Sequence, residues 1–496
     1  MLGSSMINAA ASLLSLLAGF ASSVIVARLL GVEGAGTVAY ALWIMTAGTL
    51  VADLGLPQAL LRFVGRNAEE SASLVRALGR RFSLASALLA SVLLGFALFR
   101  YGQGAMTQAW VWVASAGLYL AYAYSTLALG VEQGLGKFRQ ASGRTAVGCL
   151  VQPFSVALGA VLFGPAGAIL GHVFRHLPQV LALRHYFSGD AREKRQPVPA
   201  VVSAYARNNW ISGGLTVLLA SRVEFAIIGF YFSVSEVGQY ATGATMAGMI
   251  VQLAFALVAV LVPLFASYHD RGDRPGLIRS YQRSLMGMSL LLAPICFGGG
   301  AIAPVLVPAL FGTAFGPAGQ LAAILVPFTF AQVLTTVSYR MMLAQERSKA
   351  VLQFSLWEGA LCMIALMIVV PLYGPVGAAW VKGLTATASA AFHLAYCWRR
   401  LDVPFQPVVL LKVTIAAALC AGIAATLLMW KPDLVGLTLA IPASAVVYAA
   451  LVILLRVVPQ EERRVVADWS VGKLPAFISS RLHRTVKAPG PKEGSL

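Results

Sequence analysis

Leu162-Phe163-Gly164-Pro165-Ala166-Gly167-Ala168 returns 210 residues later as Leu372-Tyr373-Gly374-Pro375-Val376-Gly377-Ala378. In each copy a Gly-Pro pair interrupts a long apolar run. Glycine suits the end of one helix and proline, which lacks an N–H, suits the first turn of the next. The flanking runs cover 145–162 and 166–184 in the first copy, and 350–372 and 376–397 in the second. Each is close to the ~20 apolar residues a helix needs to cross a bilayer. Each copy therefore predicts a tight hairpin of two membrane helices. A fainter match, at an offset of 202, pairs Val32, Gly36 and Ala39 with Val234, Gly238 and Ala241.

Outward from these hairpins, apolar runs lie near 6–27, 36–56, 82–99, 107–129, 210–232, 238–265, 285–310, 318–339, 408–430 and 434–457, which makes fourteen spans. Composition agrees: 58% of the 496 residues are apolar and 11% charged, against about 25% charged in soluble domains. Mean hydropathy is +0.78. A set of water-facing globular domains is excluded. The expected fold class is all-α integral membrane, with about 14 transmembrane helices: two parallel six-helix repeats, or lobes, plus two extra C-terminal helices. Helices 1–6 form an N-lobe over 1–200, helices 7–12 a C-lobe over 201–400, and helices 13 and 14 occupy 401–458. Parallel repeats of this kind serve alternating access, one lobe rocking against the other around a central site.

The charges carry the orientation. Of 37 Lys and Arg, 31 fall in alternate connections and in the tail, three (Arg28, Arg100, Lys431) in the opposite connections, and three inside spans. By the positive-inside rule both termini are cytoplasmic. The net charge of +18 is then a topology signal, and no nucleic-acid partner is expected. The polar tail, 459–496, admits two readings: a surface-lying amphipathic helix over 461–482 or no fixed structure. The apolar run from Met6 past Val26 is too long for the core of a cleavable signal. Cys149, Cys296, Cys362, Cys397 and Cys420 all fall in apolar runs without CxxC spacing, which reads as buried packing.

Ala27-Arg28-Leu29-Leu30-Gly31-Val32-Glu33-Gly34-Ala35-Gly36, then Asp53-Leu54-Gly55-Leu56 and Ala59-Leu60-Leu61-Arg62, resembles the opening of Wzx-type polysaccharide and O-antigen flippases. These belong to the multidrug/oligosaccharidyl-lipid/polysaccharide exporter superfamily. Ser221-Arg222-Val223-Glu224, Glu236-Val237-Gly238-Gln239-Tyr240 and Leu310-Phe311-Gly312 with Phe315 extend the likeness into the second repeat. The resemblance covers roughly residues 5–457 and rests on order, spacing and span count together. It implies a non-enzymatic export step in a bacterial cytoplasmic membrane, moving a lipid-linked (polyprenyl-pyrophosphate) oligosaccharide to the outer leaflet. Polysaccharide polymerase and chain-length machinery are the implied protein partners. The implied cavity is walled largely by helices 1, 2, 7 and 8.

Charges inside the membrane are costly, at least about 2.5–3.5 kcal/mol each on insertion scales, so they are paired or functional. Arg222 lies ~18 Å into span 7 at ~1.5 Å per residue, sharing a helical face with Asn208 and Ser212. It reads either as a cavity cation for a pyrophosphate or as half of a structural pair. Glu224, two residues on, points away from it on the same helix. His172, Arg175, His176 and Gln179 form one stripe on span 6; Lys382, Thr385, Ser389 and His393 form another on span 12. The hairpin offset superposes them, His172 on Lys382 and Arg175 on Thr385. Substrate contact and a hydrogen-bonded seam within each lobe are both open readings. Glu224, Glu358 (~12 Å deep) and Asp53 are the candidates for Na+ or H+ coupling. No His, Cys, Asp and Glu set has metal-ligand spacing, and no other cofactor is expected.

No ATPase is expected: the nearest P-loop look-alike, Gly134-Leu135-Gly136-Lys137, runs into Phe138 where a hydroxyl is required and has Val131 in place of the first glycine. Two rivals remain. A membrane glycosyltransferase or polymerase calls for a sizeable outer loop with acidic residues, and the outer connections here are short. A multidrug exporter of the same superfamily calls for carboxylates in its cavity, whereas the membrane interior here offers Arg175, Arg222, Lys382 and histidines, which favours an anionic substrate.

Overall fold

The computed structural model describes residues 2–64, 68–187, 198–220, 223–258 and 261–457. Arg222, the side chain of Ser212 and the tail at 459–496 lie outside the described residues. Among these residues there is no β-strand. The helices are α1 (Leu2–Ala52), α2 (Leu56–Phe63), α3 (Ala68–Gly102), α4 (Met106–Gly134), α5 (Phe138–Phe187), α6 (Ala200–Ala220) and α7 (Val223–Tyr231). They continue as α8 (Val234–Leu257), α9 (Leu261–Asp270), α10 (Arg274–Phe311), α11 (Gly316–Ala344), α12 (Ser348–Arg400), α13 (Pro407–Trp430) and α14 (Leu434–Leu454). Among the described residues, nine helical stretches are long and apolar enough to cross a membrane.

Both Gly-Pro hairpins form. Within α5 the chain reverses at Gly164 (φ 59°) and within α12 at Gly374 (φ 60°), a left-handed conformation that only glycine adopts freely. The two arms of α5 run antiparallel. Ser155 Oγ donates to Gly171 O at 2.8 Å and Gln179 Nε2 to Thr145 Oγ1 at 2.9 Å. Gly159 and Gly167 face each other so closely that a Cβ on either would strike the carbonyl of the other. The arms of α12 are tied by Ser389 Oγ, which donates to Glu358 Oε2 at 2.7 Å. α1 carries a corresponding break at Gly31 (φ 66°). Other helix starts are capped: Ser233 and Glu236 form a capping box on α8, while Asp273 and Asp433 cap α10 and α14, satisfying N–H groups that have no partner in the helix.

The bundle has two chemically different ends. One gathers the turns at Gly31, Gly104, Gly164 and Gly312, and cross-contacts hold them together: Arg28 reaches the Ala309 and Leu310 carbonyls, Val234 meets Gly36, and Phe232 meets Gly374. This end holds Arg28 and Arg100. The other end is rich in cations, with Arg62 over the Tyr205 ring, Lys137 over Tyr186 and Arg274 paired with Asp402.

α1 packs on α4, α5 and α8; α11 packs on α8, α10 and α12; α13 and α14 lean on α10. The core between them is apolar, yet so is much of the surface: Phe154 is 78% exposed and Met429 83%. Water does not tolerate apolar surface on this scale, whereas acyl chains do.

Candidate functional site

A cavity of about 480 Å³ lies between the first half of the chain and α8. Its walls come from the first arm of α1 (Ser12, Ser15, Ser23), both arms of α5 (Gln152, His172, Arg175) and α8 (Thr245, Gln252). The polar groups on α1 and α5 form a chain. The Arg175 guanidinium donates to Ser15 Oγ and, at 3.0 Å, to Gln152 Oε1. The Gln152 amide in turn donates to His172 Nδ1 at 3.1 Å. Serine and glutamine orient the guanidinium without neutralising it, and among the described residues these two bonds engage only part of its five-donor fork. The arrangement presents a positioned positive charge to an anion, and guanidinium geometry suits phosphate oxygens.

The two stripes read in the sequence part company here. On α5, His172 and Arg175 reach the cavity. His176, a residue further round, instead meets Ser125 Oγ at 3.1 Å and the Tyr122 ring edge-on at 5.2 Å. Gln179 closes on Thr145, inside the hairpin. On α12, Lys382 Nζ lies 3.4 Å from Glu224 Oε2, so this cation is matched by a buried carboxylate on α7. Glu358 accepts from Ser389, and His393 Nδ1 lies 2.9 Å from the Ser389 carbonyl. The C-terminal stripe is therefore stitched to its own hairpin and to α7, away from the cavity.

Asp53 sits at the corner between α1 and α2, where its carboxylate accepts from Gly55 N at 2.9 Å. Leu54 and Gly55 both have positive φ, 50° and 69°. The corner lets the chain press on α6, where Trp210 Nε1 donates to Leu50 O at 2.9 Å.

At the cation-poor end the two halves of the chain meet. Gly36 abuts Val234 and Gly238, and Gly238 abuts Val32 and Gly36. These are the residues matched at an offset of 202, so the fainter repeat marks the line along which the halves touch. Arg28 Nε donates to Leu310 O at 2.8 Å across the same line, capping the carbonyl end of α10. Gln239 clamps α8 to the start of α11 through Ala314 O and Ala318 N, both at 2.9 Å.

Sequence reasoning missed Gln152, Ser15 and the buried pair of Glu132 with Arg144. Uncharged polar residues recur on spans 1 and 5, and their helical spacing is the signal that could have found the first two.

The model of the family described as "Polysaccharide biosynthesis protein" matches residues 25–320. A protein of Haloferax volcanii named "Probable low-salt glycan biosynthesis flippase" is 21% identical over 203 residues, which are 41% of this chain and 43% of that one. The match therefore spans less than half the length of that relative. Among solved structures, "Lipid II flippase MurJ, inward closed conformation" superposes with a TM-score of 0.69 at 12% identity, covering 91% of this chain and 99% of that one. An inward-facing multidrug resistance MATE family transporter of the MOP superfamily gives 0.64 at 11% identity, covering 80% and 98%. With the family model matching more than half of its length, the chain belongs to the polysaccharide biosynthesis protein family and has the fold shared by MurJ and the MATE transporters.

Proposed function

We propose that the chain is a flippase that carries a lipid-linked oligosaccharide, through its pyrophosphate and sugars, from the cytoplasmic to the outer leaflet by alternating access. The observation that carries this reading is Arg175, held at the cavity by Ser15 and Gln152, both neutral partners among the described residues. An anion entering between the halves finds a charge already oriented and not yet matched. The family, the name of the Haloferax relative and the likeness to MurJ all support it.

Counting each break at Gly31, Gly164 and Gly374 as a reversal, α6–α7 and α8–α9 as one crossing each, and leaving out α2, too short to cross at 8 residues, gives fourteen crossings. On this layout the lobes span 1–200 and 201–400, helices 13 and 14 flank the C-lobe, and the cation-rich end faces the cytoplasm with both termini. The cavity is then closed outward by the Gly36–Gly238 contact. Arg222 is proposed, from the sequence, as a second cavity cation, and His172 as an orienting group for Arg175 through Gln152. Lys382 and Glu224 belong to coupling: Na+ or H+ arriving at Glu224 or Glu358 competes with the Lys382 ammonium and loosens α12 from α7. The host membrane is proposed to be a bacterial cytoplasmic membrane.

The MATE-like fold also suits a multidrug exporter. Cationic drugs call for a carboxylate at the cavity, and Arg175 is the charged residue on its described lining, which favours an anionic cargo.

Arg175→Ala and Arg175→Lys, expressed in a host deleted for the gene, test the assignment. Surface polysaccharide is expected to fall at least about tenfold with alanine, the scale of losing one charged hydrogen-bond donor, with membrane levels of the protein unchanged. Lysine restores part of it as a point charge. Wild-type export by a well-inserted alanine variant contradicts the role.

A further inference from the structure

A larger cavity, about 630 Å³, opens at the cation-poor end between the second arm of α1, the end of α3 and the start of α4. Two aromatic side chains on its wall, Tyr40 and Trp112, are accompanied by Glu33, Arg100, Thr107 and Gln108. Both rings are braced by neighbours. Trp112 stacks on Phe96, with centroids 5.2 Å apart and planes at 23°, and Tyr40 leans on Trp43 at 5.4 Å. The four polar side chains are exposed, offering carboxylate, guanidinium, hydroxyl and amide in one space.

That combination fits a polyhydroxylated ring. The C–H face of a sugar lies on a braced aromatic face, and its hydroxyls, each both donor and acceptor, need partners of both kinds. An acyl chain would leave the polar groups unmatched, and a bare phosphate would meet Glu33. Val234, from the second half of the chain, also lines this cavity, and its carbonyl is the group that abuts Gly36. The cavity is therefore complete only while the halves touch at this end.

We propose that this cavity is a saccharide subsite on the outer side, taking sugar units of the cargo on the Trp112 face once the head group has crossed. A ligand that uses the Val234 wall favours the closed state over the open one. A sugar seated here draws the outer end shut behind the exported head group and disfavours its return. The inference rests on the flippase reading.

The test uses full-length protein in lipid nanodiscs and two probes: inorganic pyrophosphate, and oligosaccharide released by mild acid from the host's own lipid-linked intermediates. Trp112→Leu is expected to weaken oligosaccharide binding at least tenfold and to leave pyrophosphate binding unchanged. Trp112→Phe, which keeps a ring face, retains oligosaccharide binding, and this separates loss of the face from misfolding. Arg175→Ala gives the opposite pattern. Gly36→Val, which holds Val234 away, also weakens the oligosaccharide. Wild-type oligosaccharide affinity in Trp112→Leu overturns the subsite. Pyrophosphate binding without oligosaccharide binding in the unaltered protein overturns the subsite alone, and binding of neither probe overturns the flippase reading with it.

Discussion

Gly36 and Gly238, equivalent positions in the sequence repeat, face each other across the line where the two halves meet. A Cβ on Gly36 would stand 3.0 Å from Gly238 N, and one on Gly238 would stand 2.9 Å from Gly36 N. Helix backbones this close require glycine. Gly36→Val and Gly238→Val are therefore expected to hold that end open. The reporter is Ser23→Cys, a cavity position, against five native cysteines that are all buried. Labelling by a membrane-impermeant thiol reagent added outside should rise several-fold in either valine background. Equal labelling with and without the valines would show that this contact is not a gate.

Arg28 strengthens the same closure through the Leu310 and Ala309 carbonyls. Hydrogen bonds to a charged group contribute about 1.5–3 kcal/mol each, so Arg28→Gln should shift the reporter in the same direction as the valines. Combined with Gly36→Val it should add little, because the end is already apart. Full additivity would place Arg28 outside the gate.

Lys382 and Glu224 share one buried site at 3.4 Å. Removing one partner leaves a buried charge, which costs about 3–5 kcal/mol, while replacing both is far milder. Lys382→Met should lower the unfolding temperature in detergent clearly more than the double variant Lys382→Met with Glu224→Gln. Losses that simply add would deny the coupling.

Gly164 and Gly374 hold the hairpins at φ 59° and 60°. Alanine at either should cost about 1–3 kcal/mol, because positive φ with ψ of −142° or −149° is a region essentially reserved for glycine. Gly95 in α3 has open space around its Cβ position, so Gly95→Ala is the contrast: neutral or slightly stabilising in a helix interior. Thermal unfolding of the three single variants checks the ranking, and destabilisation by Gly95→Ala equal to the others would undercut it.

The hairpins were legible because Gly-Pro is a local signal, written in the two residues that make the turn. The stripe His172, Arg175, His176 and Gln179 was legible as an azimuth but not as an environment. A helical wheel puts all four on one side, yet that side is wide enough to meet both the cavity and α4, so Arg175 turns to Ser15 while His176 turns to Ser125. The pairing of Glu224 with Lys382 had no local trace, since it joins helices 158 positions apart and depends on how α7 docks on α12. The offset of 202 showed that Gly36 and Gly238 are equivalent, but not that equivalents touch. That follows only when two similar units face each other around an axis.

Deleting the gene and following the leaflet distribution of lipid-linked intermediates tests the central claim most directly. The account predicts that surface polysaccharide is lost and that intermediates accumulate with their head groups on the cytoplasmic side, with restoration by the wild-type gene and not by Arg175→Ala. Normal surface polymer together with new sensitivity to cationic drugs would contradict it and make the chain a drug exporter.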